Sequence, residues 1–186
     1  MHVAYRHIRP VSVIYARATG DYWTASNAAW ERLDRWLAEH SLRRRVARGF
    51  GLFHDNPQIT APELLRYDAC AQLTTALEGD AALGIGRQTL SGGTYAVHTY
   101  IGGYGSIGGL MSHLHRDWVP KQGLSVDYDR PFMAIHLNDP RITREVHRRT
   151  ELCIPVLPLR QYAPVDGHDD EEDSHPPALG LAVGYK

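Results

Sequence analysis

The chain has 186 residues, 43% of them apolar and 22% charged, the balance of an ordinary folded domain and not of a disordered or membrane-embedded chain. A formal charge of −1 and a pI near 6.8 supply no basic face for duplex phosphates, so no direct nucleic-acid contact is expected. Cys70 and Cys153 lack CxxC spacing and signal neither a zinc site nor a disulfide framework. The charged opening MHVAYRHIRP, with no apolar run approaching ~20 residues anywhere, predicts a cytoplasmic chain without leader or membrane anchor.

In chain order, Val3 to Ile8 reads as a strand that pairs with Val11 to Ala18, a run rich in β-branched and aromatic residues, across Arg9 and Pro10. Thr24 to Glu39 is helical, with Trp30, Leu33 and Leu37 on one stripe and Thr24 or Ser26 as its cap. The cluster Arg43, Arg44, Arg45 and Arg48 reads as a solvated connection. Arg66 to Leu73 alternates Tyr67, Ala69, Ala71 and Leu73 against Asp68, Cys70 and Gln72, the pattern of a two-faced strand. Tyr95 to Tyr100 is the next strand. A glycine turn follows, then a helix with the stripe Ile107, Leu110, Met111, Leu114 and Trp118, weakened at its start by Gly108 and Gly109. Phe132 to Leu137 and Glu151 to Val156 are the last strands, with Pro155 and Pro158 ending regular pairing. Residues 164–186 contain DGHDDEEDSHPP, a composition that predicts a disordered acidic tail.

The two halves of the pattern repeat. Tyr22, Trp36 and Leu42 have the same spacings as Tyr104, Trp118 and Leu124, at an offset of 82. HDNP ending at Pro57 matches LNDP ending at Pro140, and RYDAC from Arg66 matches RTELC from Arg149, at an offset of 83. The expected fold is therefore α+β: two strand-helix-strand-strand modules, residues 1–80 and 84–160, related by a pseudo-twofold axis in one domain (1–160), with an antiparallel sheet and two main helices.

Several segments carry a family resemblance: HDNPQITAPELLRYDAC, SGGTYAVHTYIGGY, HRDWVPKQGL, FMAIHLNDP and ELCIPV. The chain resembles the gyrase-inhibitor-like small-molecule-binding domains, which also serve as effector domains of AraC-type and MerR-type regulators. The resemblance implies a lipophilic ligand, aromatic cations included, held in a cleft between the modules. It also implies a sensor or sequestering role and, for some members, a protein partner such as gyrase or a regulator. A hydrolase of reactive electrophiles on the same cleft is the alternative. With no helix-turn-helix pattern ahead of it, the chain resembles the stand-alone branch. The family's acid after the Phe of the FE-x-Y strand, which the resemblance places toward the ligand, is replaced by Met133. The later Tyr position falls on Ile135 or His136, depending on register.

Candidate ligand-binding residues are Trp23, Phe53, Tyr67, His98, Tyr104, Met133, Ile135 and Glu151. The aromatics and Met133 suit an adaptable apolar wall, or equally a core. Glu151 either neutralises a ligand cation or closes an ion pair with Arg149 or Arg66. His113, His115 and His147 read as surface residues, since His113 and His115 point to different sides of a helix. Neither a metal site nor a cofactor is expected, and Cys153 near His98 or His136 does not form a nucleophile motif.

Overall fold

The computed structural model describes residues 1–75 and 77–158; the predicted tail lies outside them. The fold is α+β, a nine-stranded antiparallel sheet with two main helices on one face. The strands are β1 (Ala4–Ile8), β2 (Val11–Thr19), β3 (Val46–Phe53), β4 (Arg66–Leu73), β5 (Ile85–Leu90), β6 (Gly93–Ile101), β7 (Leu124–Val126), β8 (Phe132–His136) and β9 (Arg149–Pro158). The helices are α1 (Tyr22–Glu39), between β2 and β3, and α2 (Ile107–His113), between β6 and β7. The sheet order is β1-β6-β9-β8-β3-β4-β2-β5, with β7 added on β9.

Two-residue alternation divides each strand between two cores. Tyr67, Ala69 and Ala71 of β4 face α1 together with Ile14 and Ala16 of β2, and the small alanines let the helix pack closely through Ala25, Ala29, Leu33 and Leu37. Ala134 of β8 and Leu152 and Ile154 of β9 face α2 through Ile107, Met111 and Leu114. The opposite face of the sheet buries Phe50, Leu52, Cys70, Met133, Ile135 and Cys153. Full burial of a side chain the size of Leu33, Leu114 or Leu152 stabilises the fold by roughly 1.5–3 kcal/mol, and all three are 0% exposed.

The registers of the two halves correspond. Ile14 pairs with Ala71 as Ala96 pairs with Ile154, and Phe50 pairs with Cys70 as Met133 pairs with Cys153. At the centre β3 meets β8, with Gly51 opposite Ala134.

Several local expectations are corrected. Strand β1 does not pair with β2; it crosses to β6, with Tyr5 opposite Ala96, and β5 occupies the corresponding edge beside β2. Helix α1 is capped by Asp21 and not by Thr24 or Ser26: the Asp21 carboxylate accepts from the Trp23 and Thr24 N–H groups at 3.1 Å. Strand β9 runs through both prolines. The Pro155 carbonyl accepts from Asp127 N–H at 3.0 Å, so the ring nitrogen points to that same side, away from β6, and the β6 ladder loses no donor. The arginine cluster ends in β3, whose interior glycines, Gly49 and Gly51, break the apolar pattern that would have revealed a strand. After α2 the chain makes a π-helical turn over Leu114–Trp118, a wider winding often found at functional sites. That turn brings His115, read from sequence as a surface residue, to a half-buried position.

Candidate functional site

A cleft of about 1250 Å³ opens between α1 and α2, floored by β3 and β8. It is larger than the roughly 300–1,000 Å³ of most drug-sized ligand pockets. At the centre of the sheet two glycines leave space that aromatic rings fill. A Cβ on Gly51 would lie 2.1 Å from the Tyr67 hydroxyl oxygen, and one on Gly49 would lie 3.1 Å from the Trp30 ring. Glycine at these two positions therefore lets two aromatic rings lie against the strand.

One wall is aromatic. Trp30 Nε1 donates to the Tyr67 hydroxyl at 3.0 Å, fixing both rings. Phe53 meets Tyr67 edge-on at 5.2 Å between centroids and Tyr22 at 5.0 Å. Tyr22 is anchored in turn, its hydroxyl donating to Asp55 O at 2.6 Å and accepting from Asp55 N–H at 2.9 Å. Burial pushes the Tyr22 phenol up to about 12 and raises that of Tyr67 as well, so both rings are neutral near pH 7.

The other wall centres on His136. Trp30 and Tyr104 approach it edge-on, at 5.3 Å and 5.1 Å. Its Nδ1 and Nε2 are both buried and have no hydrogen-bond partner among the described residues. Burial, followed by the nearby Arg148 charge, lowers its pKa to about 4, so the ring is neutral. The Arg148 guanidinium lies over the Tyr104 ring at 4.9 Å. Phe132 and His115 pack edge-on at 5.3 Å, and His115 shares a 2.7 Å hydrogen bond with the Tyr128 hydroxyl.

Charge is confined to the rim. The carboxylates that line the cleft are each engaged by an arginine: Glu31 by Arg35, Asp34 by Arg43, Asp55 by Arg66 at 2.8 Å and Asp139 by Arg141 at 2.6 Å. These arginines lower the pKa of Asp55 and Asp139. Arg44 and Arg48 also line the cleft, with no carboxylate within ion-pair distance among the described residues.

The sequence-derived candidates divide between two places. Phe53, Tyr67 and Tyr104 line the cleft, and Trp23, 62% exposed, stands at its mouth. Met133 and Ile135 point to the opposite face and are buried in its core. Alternation from Phe132 puts Ala134 and His136, not Met133 and Ile135, on the cleft side. Glu151 is engaged by Arg6, not by Arg149 or Arg66. It shares with His98 a separate hollow of about 250 Å³ beside β1, where His98 Nδ1 hydrogen-bonds His2 O at 2.8 Å.

Its counterpart Asp68 is 0% exposed on that same far face. It accepts from Arg17 at 2.6 and 2.8 Å, from His54 at 2.8 Å and from Gln88 at 3.1 Å. Burial alone would raise the Asp68 pKa, but these bonds outweigh it and hold it well below the usual carboxylate range. Sequence reasoning missed Trp30, Tyr22, Phe132 and His115 as cleft residues. The alternation that began at Phe132 was the available signal for His136.

Among the described residues, no three His, Cys, Asp or Glu side chains gather as a metal site requires, and no helix is long and apolar enough to cross a membrane. Both cysteine thiols are buried on the far face, and burial pushes their pKa values up.

An aromatic, largely uncharged cleft between two helices on an antiparallel sheet defines a small-molecule-binding domain. Residues 1–157 match the family model of the GyrI-like small molecule binding domain, and the chain belongs to that family. It is 34% identical over 107 residues to the probable transcriptional regulator YgiV of Escherichia coli O157:H7, covering 58% of this chain and 66% of that protein. It is 40% identical over 83 residues to the DNA gyrase inhibitor of Edwardsiella piscicida, covering 44% and 52%. The chain thus spans less than two thirds of these relatives. In fold it is similar to the EcmrR C-terminal domain, with TM-score 0.65 and 15% identity over 84% of this chain and 98% of that one. It is also similar to SAV2435 bound to tetraphenylphosphonium, with TM-score 0.59 and 14% identity over 84% and 94%.

Proposed function

We propose that the chain binds a lipophilic aromatic molecule in the cleft between α1 and α2 and acts as a sensor or sequestering protein, its occupancy read by a protein partner. The carrying observation is the wall of Trp30, Phe53, Tyr67 and Tyr104 around a space of about 1250 Å³ whose carboxylates are all engaged by arginines. Such a wall favours stacked and edge-on aromatic contacts. The regulator and gyrase-inhibitor names of the relatives support a sensing role or gyrase as the partner. We further infer that residues 1–80 and 84–160 are copies of one module, supported by the matching registers across the sheet.

A lipophilic cation is the second reading, favoured by the tetraphenylphosphonium complex of SAV2435. In this chain it has lost the support of Glu151, which lies outside the cleft. The hydrolytic alternative would have His136 as an unpartnered base, but the cysteine nucleophiles face away.

The test is a thermal-shift screen of the full chain against lipophilic aromatics. A ligand at a hundredfold excess over its Kd stabilises the folded state by roughly 2.7 kcal/mol, a rise of several degrees. Absence of any shift across a broad aromatic library would sink the reading.

A further inference from the structure

The polar half of the cleft carries information about the ligand that the aromatic half does not. An offset of 83 takes Phe53 to His136 and Tyr67 to Thr150, so two ring positions of the first half are replaced by polar groups in the second. His136 and Thr150 are directly opposite each other on β8 and β9. Thr150 is 0% exposed, and its hydroxyl has no partner.

Arg148, two residues before Thr150 in the chain, has an unpartnered buried Nε. Of the five buried side-chain nitrogens and oxygens without a hydrogen bond among the described residues, four belong to this cluster. Buried polar atoms are nearly always satisfied, and a group left open costs roughly 1–3 kcal/mol. Such a concentration beside a cleft marks a place kept for a hydrogen-bonding group that arrives with the ligand.

The chemistry of the cluster selects that group. Arg148 Nε can only donate, while neutral His136 offers one donor and one acceptor and the Thr150 hydroxyl can do either. The fixed member is a donor on a cation near His136, so an oxygen acceptor is favoured and a positive charge is opposed. One face of Tyr104, which could have welcomed a cation, already carries the Arg148 guanidinium. The rim adds no free carboxylate, while Arg44 and Arg48 contribute positive potential.

We propose that the cleft takes aromatic molecules bearing an oxygen acceptor, neutral or anionic, in preference to lipophilic cations, with the oxygen seated at His136, the member of the cluster that lines the cleft, and Thr150 behind it. This rests on the proposed use of the cleft and names its ligand class.

Three propeller-shaped probes of similar size test it by calorimetry on the full chain: triphenylphosphine oxide, triphenylacetate and methyltriphenylphosphonium. The oxide and the acetate should bind at least about tenfold more tightly than the phosphonium, the effect of one or two added hydrogen bonds. His136→Phe keeps the ring, and Thr150→Val keeps the shape; each should shrink that preference severalfold. Phosphonium binding as tight as the oxide, or a preference that survives both substitutions, overturns the proposal while leaving the cleft as the binding site. Failure of all three probes to bind, or binding indifferent to a side chain that fills the cleft such as Gly108→Leu, overturns the cleft reading itself.

Discussion

Replacing Gly108 with leucine sets the stability of the fold against the use of the cleft. Gly108 is exposed in α2, has ordinary helical φ, and a Cβ built on it meets nothing within 4 Å. It nevertheless lines the cleft. Glycine in a helix costs roughly 0.5–1 kcal/mol relative to a good helix former. Gly108→Leu should therefore raise the Tm by about 1–4 °C, given roughly 2–4 °C per kcal/mol for a protein of this size. The same side chain projects into ligand space, and affinity for any ligand of the cleft should fall at least about tenfold, equivalent to about 1.4 kcal/mol. Gly109 is the control: it too has open space around it but does not line the cleft, so Gly109→Ala should stabilise without touching affinity. Differential scanning fluorimetry gives the first quantity and calorimetric titration the second. A Gly108→Leu protein that is stabilised and still binds at full strength would refute the assignment of the cleft.

His136 titrates near 6.5 when unfolded and near 4 when folded. The unfolded chain thus holds the extra proton between those values, and stability should fall by up to about 3 kcal/mol as pH drops from 6.5 to 4. His136→Phe should flatten that part of a Tm-versus-pH curve, and an unchanged slope would show that the ring is solvated. Asp68→Asn, which weakens four hydrogen bonds to a fully buried carboxylate, should cost about 2–3 kcal/mol in urea unfolding. Glu151→Gln, whose partner Arg6 is 45% exposed, should cost about 1 kcal/mol or less. Both lie away from the cleft, so neither should change ligand affinity, and a selective loss of cationic ligands in Glu151→Gln would restore it as a counter-charge. Deleting residues from Val165 onward should leave Tm and affinity unchanged; a drop of many degrees would show that ALGLAVGYK docks on the domain.

What the sequence made legible was periodic. The alternation of β4 and the stripe of α1 follow from burial on one face, and both elements lie where their patterns put them. Strand β3 was hidden because Gly49 and Gly51, which leave room for Trp30 and Tyr67, put no side chains on one of its faces at those positions, and alternation cannot be read from one face alone. The pairing of β1 with β6 is a long-range choice that no local pattern contains. Met133 and Ile135 were misplaced by taking the family's acid position as facing the ligand, whereas counting twos from Phe132 reaches Ala134 and His136. Glu151 was drawn to the site by its charge, but its partner, Arg6, comes from a strand expected on the other side of the molecule.

The crossing of the edge strands constrains how the two halves of the sheet can move. Strand β1 begins the chain yet is bonded to β6, and β5, which leads into the second half, is bonded to β2. Each half is therefore stitched to the other at both margins of the sheet as well as along the β3–β8 seam. Separating the halves like the leaves of a hinge would break three ladders at once. The sheet is therefore a fixed floor under the two helices, and α2, seven residues long with two glycines in its first turn and a π-helical turn after it, is the less regular of the two walls it carries.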